Sequence, residues 1–169
     1  MPDSWQRLWA PHRMSYLEGE NRPLAGNEIE CPFCRIAALD DAEALIVARG
    51  KEAYVVMNLY PYNAGHLLVC TNRHVAELPE LTESERNEVQ SLTAQGMKVL
   101  RKVSNASGFN IGINQGDVSG AGIAGHFHQH IVPRWAGDAN FMPIIGKTKV
   151  IPKLLQESRE QLSTGWNQI

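Results

Sequence analysis

At 169 residues, with 43% hydrophobic and 20% charged side chains, the chain has the length of one domain and too much apolar content for disorder. A net charge of −2 with dispersed basic residues argues against a nucleic-acid partner and leaves a small anionic ligand open. No apolar run approaches the roughly 18 residues a membrane span needs, so no membrane partner is expected, and "MPDSWQRLWAPHR" lacks the apolar stretch of a signal peptide. The cysteines, Cys31, Cys34 and Cys70, are odd in number, which argues against a disulfide scaffold and for a reducing, cytoplasmic setting.

Residues 1–30 are broken by Pro2, Pro11, Pro23, Gly19 and Gly26, yet Trp5, Leu8, Trp9, Tyr16 and Leu17 are apolar enough for an arm packed on the domain. "CPFCRIAALDDAE" predicts a short helix from about Phe33 to Leu39. "AYVVMN" (53–58) is β-prone, "YPYNAG" is turn chemistry and "GHLLVCT" (65–71) is a second strand, so the pair reads as a hairpin. Thr82 and Glu85 form a capping-box signature, and Val89, Leu92, Gly96, Val99 and Leu100 follow at helical spacing, predicting a helix from Thr82 to about Val103. "GFNIGINQG" (108–116) alternates Phe109, Ile111 and Ile113 with Asn110, Gly112 and Asn114, as a half-buried strand does. The small-residue loop "DVSGAGIAG" leads into "HFHQHIVPRW", a further strand stopped by Pro133. Pro152 suits the first turn of a C-terminal helix. The order is α+β: an antiparallel sheet with helices packed on it.

On a strand, His126, His128 and His130 would line one face, with Phe127, Gln129 and Ile131 on the other. Three readings of the triplet are open: structural polar residues, a metal cluster, or a phosphate-handling site. No Asp or Glu lies within the triplet, and a neutral or cationic face suits phosphate. Imidazole is a good nucleophile toward phosphorus near neutral pH, a second imidazole can stabilise oxyanions, and glycines let backbone N–H groups approach a phosphate. Those points favour the phosphate reading. His12, His66 and Cys70 read as structural.

"HFHQHIVPRW" resembles the histidine triad motif, and "NLYPYNAGHLLVCTNRHVAEL", "INQGDVSGAGIAG" and "PRWAGDANFMP" resemble its surroundings in the fragile-histidine branch and bacterial relatives. The resemblance covers about two-thirds of the chain. It implies an antiparallel sheet of about five strands with a long helix, and a homodimer whose sheets join. The divisions are then an arm over 1–30, a triad domain over 31–145 and a helical tail over 146–169. The implied chemistry is attack by His128 on a nucleotide α-phosphorus, giving a covalent nucleotidyl-histidine. His130 would bond phosphate oxygens, His126 would orient His128 in part through its carbonyl, and Gln115 would contact the α-phosphate or leaving group. Asn58 would bind ribose, and Phe33, Ile36, Met57 and Leu59 would line a purine pocket. Relatives carry Ser, Thr or Gln just before the triad where this chain has Gly122 and Ile123, so Ser119 or backbone N–H groups are the substitutes it offers. Gln129 stands in a slot that is usually apolar.

"CPFC" has a spacing that lets two thiolates grip one ion. The resemblance extends to triad proteins and galactose-1-phosphate uridylyltransferases that bind structural zinc, and it implies a site of Cys31, Cys34, His74 and His126. No organic cofactor is implied. The substrate class is a purine nucleotide with a second group on its phosphate, favouring dinucleoside polyphosphates such as diadenosine tetraphosphate. Water as acceptor would make a hydrolase; inorganic phosphate would make a phosphorylase. "LWAPHRMSYL" resembles an extension in bacterial members that include phosphorylases. A phosphoramidate hydrolase and a non-catalytic nucleotide-binding module are the remaining alternatives.

Overall fold

A computed structural model describes residues 31–138 and 153–169; the proposed arm and residues 139–152, where the domain end and tail start were read, lie outside the described residues. The elements are α1 (Pro32–Ala37), β1 (Ile46–Arg49), β2 (Ala53–Met57), β3 (Leu67–Thr71), α2 (Glu83–Ser104), β4 (Gly108–Ile113), β5 (His128–Arg134) and α3 (Leu155–Trp166). The strands form one sheet in the order β1-β2-β3-β5-β4, with every neighbouring pair antiparallel. The fold is α+β, as the element order implied. Strand β1 was not legible in the sequence: four residues are too few to display alternation, and pairing such as Ile46 with Val56 recruits them.

Several further boundaries differ from expectation: β3 starts at Leu67 rather than Gly65, β4 ends at Ile113 rather than Gly116, and α3 starts at Leu155, beyond Pro152. The strand of the histidine motif starts at His128 rather than His126, and it continues through Pro133, which pairs with Phe109 on β4. Pro133 lies beyond the last β3 pair, Leu67 with Ile131, so no β3 ladder needs the N–H that proline lacks.

Register divides the sheet into two faces. Val69, Gln129, Ile131 and Ile113 share one face, and Cys70, Leu68, His128, His130 and Gly112 share the other. Helix α2 covers the first face through Val89, Leu92, Val99 and Leu100, which pack with Val55, Leu67, Val69 and Ile131. Gly96 permits the close approach, since a Cβ there would stand 3.1 Å from Ile131 Cδ1. Helix α3 lies against α2, where a Cβ on Gly165 would collide with Val103. On the opposite face, α1 sets Phe33 over Ile46, Tyr54, Val56, Leu68 and Cys70. The buried Tyr54 hydroxyl donates to Phe33 O at 2.8 Å, which ties α1 to β2.

The start of α2 is tied by the expected capping box. Thr82 Oγ1 accepts from Glu85 N–H at 3.2 Å, and the Glu85 carboxylate accepts from Thr82 N–H at 2.7 Å. Arg73, in the loop after β3, adds two bonds to the same carboxylate at 2.9 and 2.8 Å. The Arg73 guanidinium is the chief reason the buried Glu85 carboxyl falls from 4.5 to about 2. A depressed carboxyl pKa stabilises the fold fully above the unfolded value, and that contribution fades as the pH falls through the folded value. Glu85→Gln is therefore expected to cost about 2 kcal/mol at neutral pH, a figure discounted because Arg73 is half exposed, and little at about pH 2. Urea midpoints of both proteins across the acid range measure this; a gap that does not narrow on acidification would contradict it.

Candidate active site

Alternation on β5 sends His128 and His130 away from α2, onto the sheet face that α1 partly covers. The two rings lie 5.1 Å apart at 65°, and both residues are buried. His128 Nδ1–H donates to the His126 carbonyl at 2.8 Å, which leaves the lone pair on Nε2. Burial lowers the His128 pKa, so the ring is neutral and nucleophilic at ordinary pH. Phe33 closes the ring in, with centroids 5.0 Å apart.

A fourth histidine belongs to the constellation. His66 Nδ1 accepts from Tyr62 N–H at 3.0 Å, so its proton sits on Nε2, which meets His130 Nδ1 at 2.9 Å. The same logic leaves neutral His130 with its proton on Nε2, as a hydrogen-bond donor suited to a phosphate oxygen. Tyr62 stacks on the His130 ring at 5.5 Å and 12°. His66, read from the sequence as structural, is buried and hydrogen-bonded, and its structural support falls on His130. Its signal was the alternation His66, Leu68, Cys70, which shares a face with the triad once β3 is paired with β5.

His126 behaves differently from its neighbours. It precedes the strand, and its ring turns toward α1 rather than lining a cleft with His128 and His130. His126 Nδ1 lies 3.3 Å from Cys31 Sγ and 3.4 Å from Cys34 Sγ, and His74 Nδ1 lies 3.3 Å from Cys34 Sγ. The four ligand atoms fall within 4.8 Å of one another. Tetrahedral zinc bonds of roughly 2.0–2.3 Å place sulfur and nitrogen ligands about 3.5 Å apart, so this donor set fits such an ion. His126 Nε2–H donates to Thr71 O at 2.9 Å, which aims the Nδ1 lone pair at the thiols. Burial pulls the His126 pKa down to about 4, keeping it in the neutral, ligating form. The cluster can hold a metal ion.

The remaining expected residues are spread around this centre. Asn58 ends the β2 side of the hairpin, accepts from Tyr60 N–H at 2.9 Å and lies 3.2 Å from His66 Nδ1. Phe33 is buried beside His128, Ile36 is half-buried on α1 and Leu59 is exposed in the hairpin loop. Met57 is a correction. It pairs with Leu67 and packs in the α2-side core, because strand alternation turns it from the histidine face. Gln115 Nε2 donates to Ala76 O at 3.4 Å, and Ser119 Oγ–H donates to Gly116 O at 2.7 Å in an exposed turn. Gln129 also has an account: its amide donates to Thr93 Oγ1 at 2.8 Å and accepts from Gln90 at 3.0 Å. An amide buried there without partners would cost about 1–3 kcal/mol.

Residues 40–137 match the HIT domain. Over 167 residues the chain is 48% identical to a Mycobacterium tuberculosis protein named AP-4-A phosphorylase, spanning 97% of this chain and 86% of that protein. It is 38% identical over 90 residues to the asymmetrical bis(5'-nucleosyl)-tetraphosphatase of Schizosaccharomyces pombe, covering 53% of this chain and 49% of that protein. A Zn-bound histidine triad family protein from Mycobacterium smegmatis shares the fold, with a TM-score of 0.68 at 22% identity over 84% of this chain and 96% of that one. With its paired imidazoles on β5 and the match running through them, the chain belongs to the histidine triad family.

Proposed function

We propose that this protein cleaves dinucleoside polyphosphates at an α-phosphate and passes the nucleotidyl group from His128 to inorganic phosphate. The observation that carries the chemistry is the His128 Nδ1–H bond to the His126 carbonyl, which leaves Nε2 as the nucleophile. In the first step Nε2 bonds to the α-phosphorus, and the bond from that phosphorus to the bridging oxygen breaks. With diadenosine tetraphosphate the departing group is ATP. In the second step a phosphate oxygen bonds to the same phosphorus, the P–N bond breaks and ADP leaves. His130 Nε2–H holds a phosphate oxygen through both steps, while Gln115 and Ser119 serve the phosphate chain.

The choice of phosphate rests on the 48% identity to the M. tuberculosis phosphorylase across nearly the whole chain. Water as acceptor is the second reading, since the S. pombe relative is named a tetraphosphatase. Phe33, Ile36 and Leu59 serve the purine and Asn58 the ribose. Zinc is the ion we assign to the cysteine–histidine cluster, where it would brace the fold. The residues at Asn110, Ile111 and Gly112 are exposed on β4, a sheet edge, and this supports a homodimer that joins there. Cys31, Cys34 and Cys70 form no disulfide, which supports a cytoplasmic setting, and no helix among the described residues is long and apolar enough to cross a membrane.

The test is incubation with diadenosine tetraphosphate, with and without phosphate, followed by product identification. ATP with phosphate-dependent ADP is the expected outcome. ATP with AMP selects water, and tight nucleotide binding without turnover selects a non-catalytic module.

A further inference from the structure

Gln129 lies in the apolar layer between α2 and the sheet, between its cross-strand neighbours Val69 and Ile113. It is 3% exposed and its partner Thr93 is 4% exposed. An apolar side chain of the same size would fill this space with no polar atoms to satisfy, so packing alone gives no reason for an amide. What the amide adds is direction. A hydrogen bond demands both distance and angle, whereas apolar contact tolerates sliding. Thr93 Oγ1–H is itself committed to Val89 O at 2.7 Å, so the hydroxyl can meet Gln129 only as an acceptor. Gln90 closes the other end of the amide. Few positions of β5 along α2 satisfy both bonds. Helix α2 is a firm reference, with 22 residues, a capping box at its start and a left-handed C-cap at Asn105.

Gln129 is the residue between His128 and His130, so whatever holds its side chain holds the peptides that carry both imidazoles. We propose that Gln129, clasped by Thr93 and Gln90 of α2, is a positioning residue that sets where the two catalytic imidazoles of β5 stand. This rests on the nucleotidyl transfer proposed above. In-line attack by His128 Nε2 and donation from His130 Nε2–H must converge on one phosphate, and a misplacement of about 1 Å costs on the order of 100-fold in rate.

Gln129→Met keeps the volume and removes the clasp. Its expected kcat loss is about tenfold or more, with KM held within about twofold, because the lost placement matters in the transition state. Thr93→Val should show the same loss, Thr93→Ser should restore kcat, and the double variant Gln129→Met with Thr93→Val should be no worse than either single. A readout that needs no substrate accompanies these: imidazole nitrogen NMR of 15N-histidine protein. The His128 and His130 signals should shift in Gln129→Met while backbone amide signals outside β5 stay in place. Wild-type kcat together with unmoved imidazole signals would overturn the assignment. If Gln129→Met does not fold, the Thr93 pair decides, and equal kcat for Val and Ser overturns it. Should wild-type protein turn over no dinucleoside polyphosphate, the proposed reaction fails and the imidazole signals still decide the role of Gln129.

Discussion

His128→Ala is expected to reduce turnover of diadenosine tetraphosphate by at least about 10⁴-fold while leaving nucleotide binding within severalfold of wild type. The size of the effect follows from covalent catalysis: no other imidazole can take over the bond. His126 spends Nε2 on Thr71 O and turns Nδ1 to the cysteines. His130 receives the His66 bond on Nδ1 and keeps its proton on Nε2. His66 is bonded at both nitrogens, to the Tyr62 amide and to His130. Alanine leaves a small space beside Phe33 and takes one donor from the buried His126 carbonyl, a cost of about 1–3 kcal/mol that the packed sheet should bear, so the fold should persist. Single-turnover kinetics and equilibrium binding on the same preparation separate the two effects. Retained turnover would remove His128 from the role of nucleophile.

Loss of the metal cluster should have the second largest consequence. Purified protein is expected to carry about one zinc ion per chain, and Cys31→Ser should abolish most of it and lower the thermal midpoint by about 10 °C. The four ligands come from the start of α1, the loop after β3 and the residue entering β5, so the ion would join three segments that are distant in sequence. Without it, α1 is left to its packing around Phe33, the Tyr54 bond to Phe33 O and the Arg49 bond to Ala37 O. Turnover should also fall by about tenfold, since the carbonyl that orients His128 belongs to the ligand His126. Metal analysis and thermal melts of wild type, the variant and chelator-treated protein test this. A metal-free protein with an unchanged midpoint would refute it.

Much of the fold was legible because local periodicity is a local property. The capping box at Thr82 and Glu85 and the helical spacing from Val89 to Leu100 located α2 within a residue at each end. Alternation located β4, and turn chemistry located the hairpin between β2 and β3. Strand β1 escaped because its four residues acquire strand character only by pairing with β2. Met57 was placed in the purine pocket by resemblance, and a fully apolar run such as "AYVVM" carries no mark of which side is which that could have excluded it.

The sequence by itself determined the residue types, the α+β order and the nearness of His128 to His130, since two-residue periodicity puts both on one face whatever the strand's partners. Only the tertiary structure decided what each histidine does. An imidazole's role depends on which nitrogen is already engaged, and those partners come from far along the chain: Thr71 and the cysteines for His126, His66 and the Tyr62 amide for His130. The same holds for Gln129, an exception to an apolar slot in the sequence and, in the folded protein, an amide whose partners stand on α2.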